Sequence, residues 1–230
     1  IGEATTASGT GLAISIPWIG AEEGKATVCR KRALETYIVC VSGDLGTDYM
    51  GLQLLERERI ASAGQKDFQP QFAGKEYLIE RQLKPEARRD IIENLEKEGI
   101  VPTSMMDISD GLSSELMHIC KDSEVGCRVY EDRIPIDYQT AVMAEELNMN
   151  LVTAAMNGGE DYELLFTVKL SDYEKVKDMD SVRIIGRITR PEWGCKLETR
   201  DGNTFDLKAQ GWNPLQEDKE EPAKALSNHC

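Results

Sequence analysis

The stretch Met105-Met106-Asp107-Ile108-Ser109-Asp110-Gly111-Leu112 sets two carboxylates three residues apart with a hydroxyl between them. Ile100 and Val101 lead in as the end of a strand, and Leu112, Leu116 and Ile119 mark the i, i+4, i+7 face of a helix behind it. A helix start offers unpaired N–H groups and a partial positive charge, which attract phosphate. Asp107 and Asp110 alone would repel that phosphate. Mg2+ resolves the conflict, because it binds through one or two carboxylates together with phosphate oxygens and retained water. The loop reads as a metal–nucleotide site. The plain alternative is capping: Asp and Ser precede many helices, and Asp110 could be no more than the N-cap.

A second string, Asn157-Gly158-Gly159-Glu160-Asp161-Tyr162-Glu163-Leu164-Leu165-Phe166, couples a paired-glycine turn to two acids and an alternating strand from Tyr162. Others are Ser42-Gly43-Asp44-Leu45-Gly46, Tyr49-Met50-Gly51-Leu52-Gln53-Leu54-Leu55, Arg81-Gln82-Leu83-Lys84-Pro85 and Gly211-Trp212. Together and in this order, from about Thr5 to Trp212, they resemble the thiamine-monophosphate kinase family. Its superfamily includes aminoimidazole ribonucleotide synthetase and selenophosphate synthetase.

The resemblance implies an α/β fold, a mixed α+β sandwich forming the C-terminal domain of the aminoimidazole ribonucleotide synthetase-like fold. Residues 1–33 are then a remnant of the N-terminal β-rich domain for ATP binding and dimerisation, and residues 34–215 are the C-terminal domain. In the family roughly a further third of the protein precedes this remnant. Residues 216–230 are charged and poor in apolar side chains, as in a flexible tail. The implied activity is ATP-dependent phosphorylation of thiamine monophosphate to thiamine diphosphate in a cytoplasmic homodimer. With no evident phospho-enzyme nucleophile, direct in-line transfer with Mg2+ is the economical mechanism.

Residue by residue, the resemblance implies that Asp107 and Asp110 hold Mg2+ and that Ser109 contacts ATP. Arg30 stands where the family keeps an ATP-contacting arginine. A guanidinium fork suits phosphate oxygens, although Lys25, Lys31 and Arg32 around it also fit a solvated basic run. Arg32 replaces the family's usual glycine. Glu160 matches an acid near the cationic thiamine. Turn polarity is its alternative, and Asp161 could face the site in its place. Trp212 corresponds to an aromatic stacked on the substrate ring, with a core lid as the alternative. Ala4 stands where the family pattern has a metal-binding aspartate. The chain is therefore expected to fold through its second domain with little kinase activity. The rival readings are a superfamily member acting on another acceptor and a catalytically inactive fragment or paralogue.

Composition bounds these readings. The 230 residues, 40% hydrophobic and 30% charged, suit a folded globular chain with a sizeable core. A net charge of −14 opposes nucleic-acid binding through the phosphate backbone, but not a nucleotide held by Mg2+. No apolar run is long enough to span a membrane. The six cysteines form no C-x-x-C pair and there are only two histidines, so a structural zinc site is not expected and the cysteines read as fillers. There is no Walker-type G-x-x-x-x-G-K-[ST] string.

Periodicity predicts strands over 11–20, 37–41, 127–130, 162–168 and 182–188, with a hairpin turning at Asp201-Gly202. It predicts helices through Leu52–Leu55, from Pro85 to Gly99, behind the Asp107 loop, over 138–147 and over 171–179.

Overall fold

In the computed structural model, the described residues are 4–8, 11–15, 27–64 and 67–209. Ala4–Ser8 (β1) and Gly11–Ser15 (β2) pair as an antiparallel hairpin in a sheet of their own. Ile38–Ser42 (β3) is buried at every position. The helices Thr47–Ser62 (α1), Glu76–Leu83 (α2) and Arg89–Lys97 (α3) follow. Then come Ser104–Asp107 (β4), Leu112–Ser123 (α4), Gly126–Tyr130 (β5), Tyr138–Glu146 (α5) and Leu151–Asn157 (α6). Leu164–Val168 (β6), the short Tyr173–Val176 (α7), Val182–Thr189 (β7), Cys195–Glu198 (β8) and Thr204–Asp206 (β9) complete the order.

The seven strands β3 to β9 form one sheet in the order β4-β6-β3-β7-β5-β8-β9. Its pairs are antiparallel except β5–β8. Alternation along β3 sends Val39 and Val41 to one face and Ile38 and Cys40 to the other. The first face packs on Leu112, Leu116 and Ile119 of α4. The second packs on Ile91 and Leu95 of α3 with Val176 of α7. A third cluster of Met50, Leu54, Leu78, Met143 and Ala154 joins α1, α2, α5 and α6 beside the sheet. A strand covered on both faces reads as an unbroken apolar run, as residues 37–41 do.

Several expected boundaries move. The strand before the Asp107 loop is Ser104–Asp107, so Asp107 is its last residue and Val101 is exposed. The helix expected from Pro85 starts at Arg89; Arg88 adopts a non-helical backbone, and its side chain is held by Glu163 and Asp90. Tyr162 lies outside β6 with φ 51°, but Leu164, Phe166 and Val168 share a face as expected. Residues 171–179 hold the end of a 3-10 turn, Leu170–Asp172, and the single turn α7 in place of a longer helix. Helices α2 and α6 were not expected. Leu78 is the only fully buried residue of the eight in α2, with Ile79 packed beside it. Helix α6 has seven residues and starts on an Asn150 cap. Beyond Ser15, the expected strand over 11–20 lies outside the described residues, as do Trp212 and the tail over 216–230.

Candidate active site

The Asp107 loop leaves the sheet at the end of β4 and enters α4 at Gly111, whose φ of 119° opens the turn. Gly111 itself is the N-cap residue, and no side chain caps the helix. Capping by Asp110 is thus not what this loop does. Asp107 and Asp110 are exposed, and among the described residues neither carboxylate has a hydrogen-bond or ion-pair partner. Ser109 is half-buried between them, while Ile108 is fully buried and anchors the loop.

Behind the loop, Glu115 is 1% exposed. Its Oε1 accepts the Asp110 N–H at 3.1 Å, and its Oε2 has no partner. Burial pushes its carboxyl up to about 7. Two free carboxylates, a hydroxyl and an uncapped helix start are the donor chemistry that suits Mg2+ shared with phosphate. Among the described residues, no three carboxylates gather into a closed cage.

The second string docks directly on this loop. The Glu160 N–H donates to the Ser109 carbonyl at 2.7 Å, Tyr162 N–H to Ile108 at 2.9 Å, and Ile108 N–H to Glu163 at 2.8 Å. Gly159 makes the approach possible: a Cβ there would lie 2.6 Å from the Ser109 carbonyl oxygen. Glu160 is exposed, with φ 62°, and accepts the Tyr162 phenol at 2.6 Å.

Beside Glu160 lies a buried network that the sequence did not reveal. Glu163, 1% exposed, accepts Arg81 Nη1 at 2.8 Å and also takes bonds from Arg88 and from the Ser42 hydroxyl. Arg81 reaches the Asp161 carbonyl at 3.0 Å and Asp48 at 3.2 Å. The carboxylate of Asp161 faces inward and accepts the Gly46 N–H at 2.9 Å. Burial holds its carboxyl well above the usual carboxylate range, against the pull of that N–H. Asp48 is pushed up to about 6, chiefly by burial and against the attraction of Arg81. Tyr77 donates to Asp44 at 2.5 Å. The strings at 42–46, 81–85 and 157–166, far apart in the chain, thus meet in one place. The signal for this was present, since Arg81 and Ser42 lay inside recognised strings, but nothing local identified Glu163 as the partner that they share with Arg88.

Arg30 is exposed and ion-paired to Asp122 in the last turn of α4. That is the opposite end of the helix from the Asp107 loop, so in this arrangement the Arg30 guanidinium does not join the loop.

No protein-family model matches the chain. The thiamine-monophosphate kinase of Buchnera aphidicola from Schizaphis graminum is 32% identical over 208 residues, covering 88% of this chain and 60% of the relative. That of Aquifex aeolicus is 32% identical over 171 residues, covering 73% and 51%. The chain therefore spans between half and two thirds of the length of these relatives. The crystal structure of the Aquifex aeolicus enzyme is 31% identical with a TM-score of 0.63, covering 78% of this chain and 54% of that one. AaThiL complexed with AMPPCP and TMP is likewise 31% identical, with a TM-score of 0.64 over 80% of this chain and 53% of that one. The hydrogenase maturation protein HypE in complex with ATP is 16% identical with a TM-score of 0.61, covering 81% of this chain and 54% of that one, and shares the fold alone. By sequence over most of its length, and by the aminoimidazole ribonucleotide synthetase-like fold of its sheet and helices, this chain is homologous to the thiamine-monophosphate kinases.

Proposed function

We propose that this chain carries the nucleotide and metal half of a kinase that uses ATP to phosphorylate thiamine monophosphate. The observation that carries the reading is the Asp107–Asp110 loop: two unpartnered carboxylates at the uncapped start of α4, bonded through Ser109 and Ile108 to the 158–163 string. The relatives' names and the neighbour complexed with AMPPCP and TMP support it.

Asp107 and Asp110 would hold Mg2+, which offsets charge on the transferring phosphoryl group. Ser109 contacts the nucleotide phosphates, and the free N–H groups of α4 face the same charge. Glu160 and Trp212 face the thiamine moiety, one by charge and one by stacking. Glu163, Arg81 and Arg88 keep the 158–163 string in register, so that donor and acceptor lie in line for direct transfer. Arg30 is an ATP contact in this proposal only if it exchanges Asp122 for phosphate. The division near residue 34, a homodimer and a cytoplasmic location belong to the same proposal. Among the described residues, no helix is long and apolar enough to cross a membrane.

A second reading, ligand binding without turnover, is favoured by Ala4 in β1, where the resembled family keeps an aspartate. Calorimetric titration with AMPPCP and with thiamine monophosphate, with and without Mg2+, tests the proposal. Mg2+-dependent binding of the nucleotide and binding of the acceptor are expected. Nucleotide binding indifferent to Mg2+ would overturn the site. A coupled assay for ADP release then separates turnover from binding alone.

A further inference from the structure

The fold brings together three cysteines that the sequence scatters. Cys120 lies near the end of α4, Cys127 on β5 and Cys195 at the start of β8. Their sulfurs all lie within 4.8 Å of one another, the only such three-ligand group among the described residues. Cys127 and Cys195 are direct partners across the one parallel strand pair.

The backbone holds each in place. Val125 N–H bonds the Cys120 carbonyl at 3.0 Å, Cys127 N–H the Gly194 carbonyl at 3.1 Å, and Leu207 N–H the Cys195 carbonyl at 2.9 Å. Cys120 and Cys127 are nearly sealed from solvent, at 2% and 1% exposed, while Cys195 is half-buried and offers a way in. Strand pairing and helix packing, which local sequence does not display, create the cluster.

We propose that Cys120, Cys127 and Cys195 form a three-thiolate site for a thiophilic divalent ion, Zn2+, with the fourth position open on the Cys195 side. Zn–S bonds of ~2.3 Å set sulfurs roughly 3.8 Å apart in a tetrahedral site, a small adjustment for side chains already this close. Thiolates select soft ions over Mg2+, so this site and the Asp107 loop do not compete for one metal. On binding, S–H bonds break, Zn–S bonds form and the released protons pass to water. The ion would clamp the final turns of α4, the helix that begins at the Asp107 loop, to the β5–β8 pair of the sheet.

The test uses the full 230-residue chain, stripped with chelator and kept reduced, with all thiols titratable. Zn2+ is titrated against a chromophoric competitor, and Co2+ serves as an optical probe. We expect one Zn2+ per chain with a Kd of ~1 µM or tighter, a thiolate-to-metal charge-transfer band with Co2+, and a rise in Tm. Cys195→Ser, chosen because the side chain is half-buried, should weaken Zn2+ binding ~100-fold or more, whereas Cys29→Ser, outside the cluster, should leave it unchanged. Absence of the Co2+ band in the folded, reduced parent overturns the proposal without recourse to any variant. So does equal Zn2+ affinity in Cys195→Ser and the parent. Formation of a Cys127–Cys195 disulfide by a chain that takes up no Zn2+ when reduced also overturns it.

Discussion

The Glu160 amide donates to the Ser109 carbonyl at 2.7 Å, which locks the 157–166 string to the Asp107 loop through the backbone. Nothing in this link depends on the side chain of either residue. It depends on glycine at 159, because the two segments approach closer than a Cβ allows. Three main-chain hydrogen bonds in all join the two halves of the candidate site.

Gly159→Ala should destabilise the fold by about 2 kcal/mol or more, since the φ of 71° strains an alanine and its Cβ meets the Ser109 carbonyl. Gly202→Ala, at φ 78° with nothing within 4 Å, should cost only about 1 kcal/mol. Urea denaturation of both variants checks the difference. Equal costs would mean that the loop contact contributes nothing beyond backbone conformation.

Asp107→Asn and Asp110→Asn should each weaken Mg2+-dependent AMPPCP binding by roughly tenfold or more while leaving Tm within a degree or two. Both side chains are exposed and support no other contact among the described residues. Calorimetry with and without Mg2+ measures the first effect and thermal unfolding the second. Affinity that stays metal-independent and unchanged in both variants would remove these residues from the site.

Glu163→Gln should lose about 3 kcal/mol of stability, because it leaves Arg81 and Arg88 without their shared buried anion. Glu198→Gln removes only the half-buried pair with Arg128 and should cost less than about 1 kcal/mol. Paired urea curves compare the two. A loss at Glu163 as small as that at Glu198 would show that the buried network is dispensable.

The pH dependence of Asp48 has a definite sign. Its folded carboxyl sits at about 6, above the ordinary value of 3.8, so the unfolded chain ionises first. Its burial therefore costs nothing below the lower value, and lowers stability progressively as pH rises to the higher one. Asp48→Asn removes that titration. The stability of the variant relative to the parent should rise between about pH 4 and pH 6 and then level off. Denaturation at a series of pH values shows this, and a difference flat across that window would count against the assigned burial cost.

Much of the fold was legible because it is locally encoded. The apolar run ending at Val41 is strand β3, the Leu112, Leu116 and Ile119 face is the buried side of α4, and Asp201-Gly202 turns the β8–β9 hairpin. The two strings that point to the site were visible for the same reason: acids, glycines and a helix start within ten residues carry their chemistry with them. What failed was either short, as in the eight residues of α2 with a single fully buried leucine, or tied to distant partners, as at the start of α3, where Arg88 is bonded to Glu163.

By itself the sequence determined the residue types and the local turns: two carboxylates before a helix, paired glycines before an acid, an unbroken apolar central strand. Tertiary structure alone decided the company these residues keep. Asp161 was turned inward and Glu160 outward, Glu163 was placed between two arginines, Arg30 was committed to Asp122, and three cysteines from separate elements were gathered. The reason is the strand order. β6 lies between β4 and β3, so the 158–163 string must pass between the Asp107 loop and the Ser42–Gly46 turn, and the one parallel pair, β5 with β8, sets Cys127 beside Cys195. Pairings of that separation follow from burying both faces of one sheet at once, and no local window of sequence displays that condition.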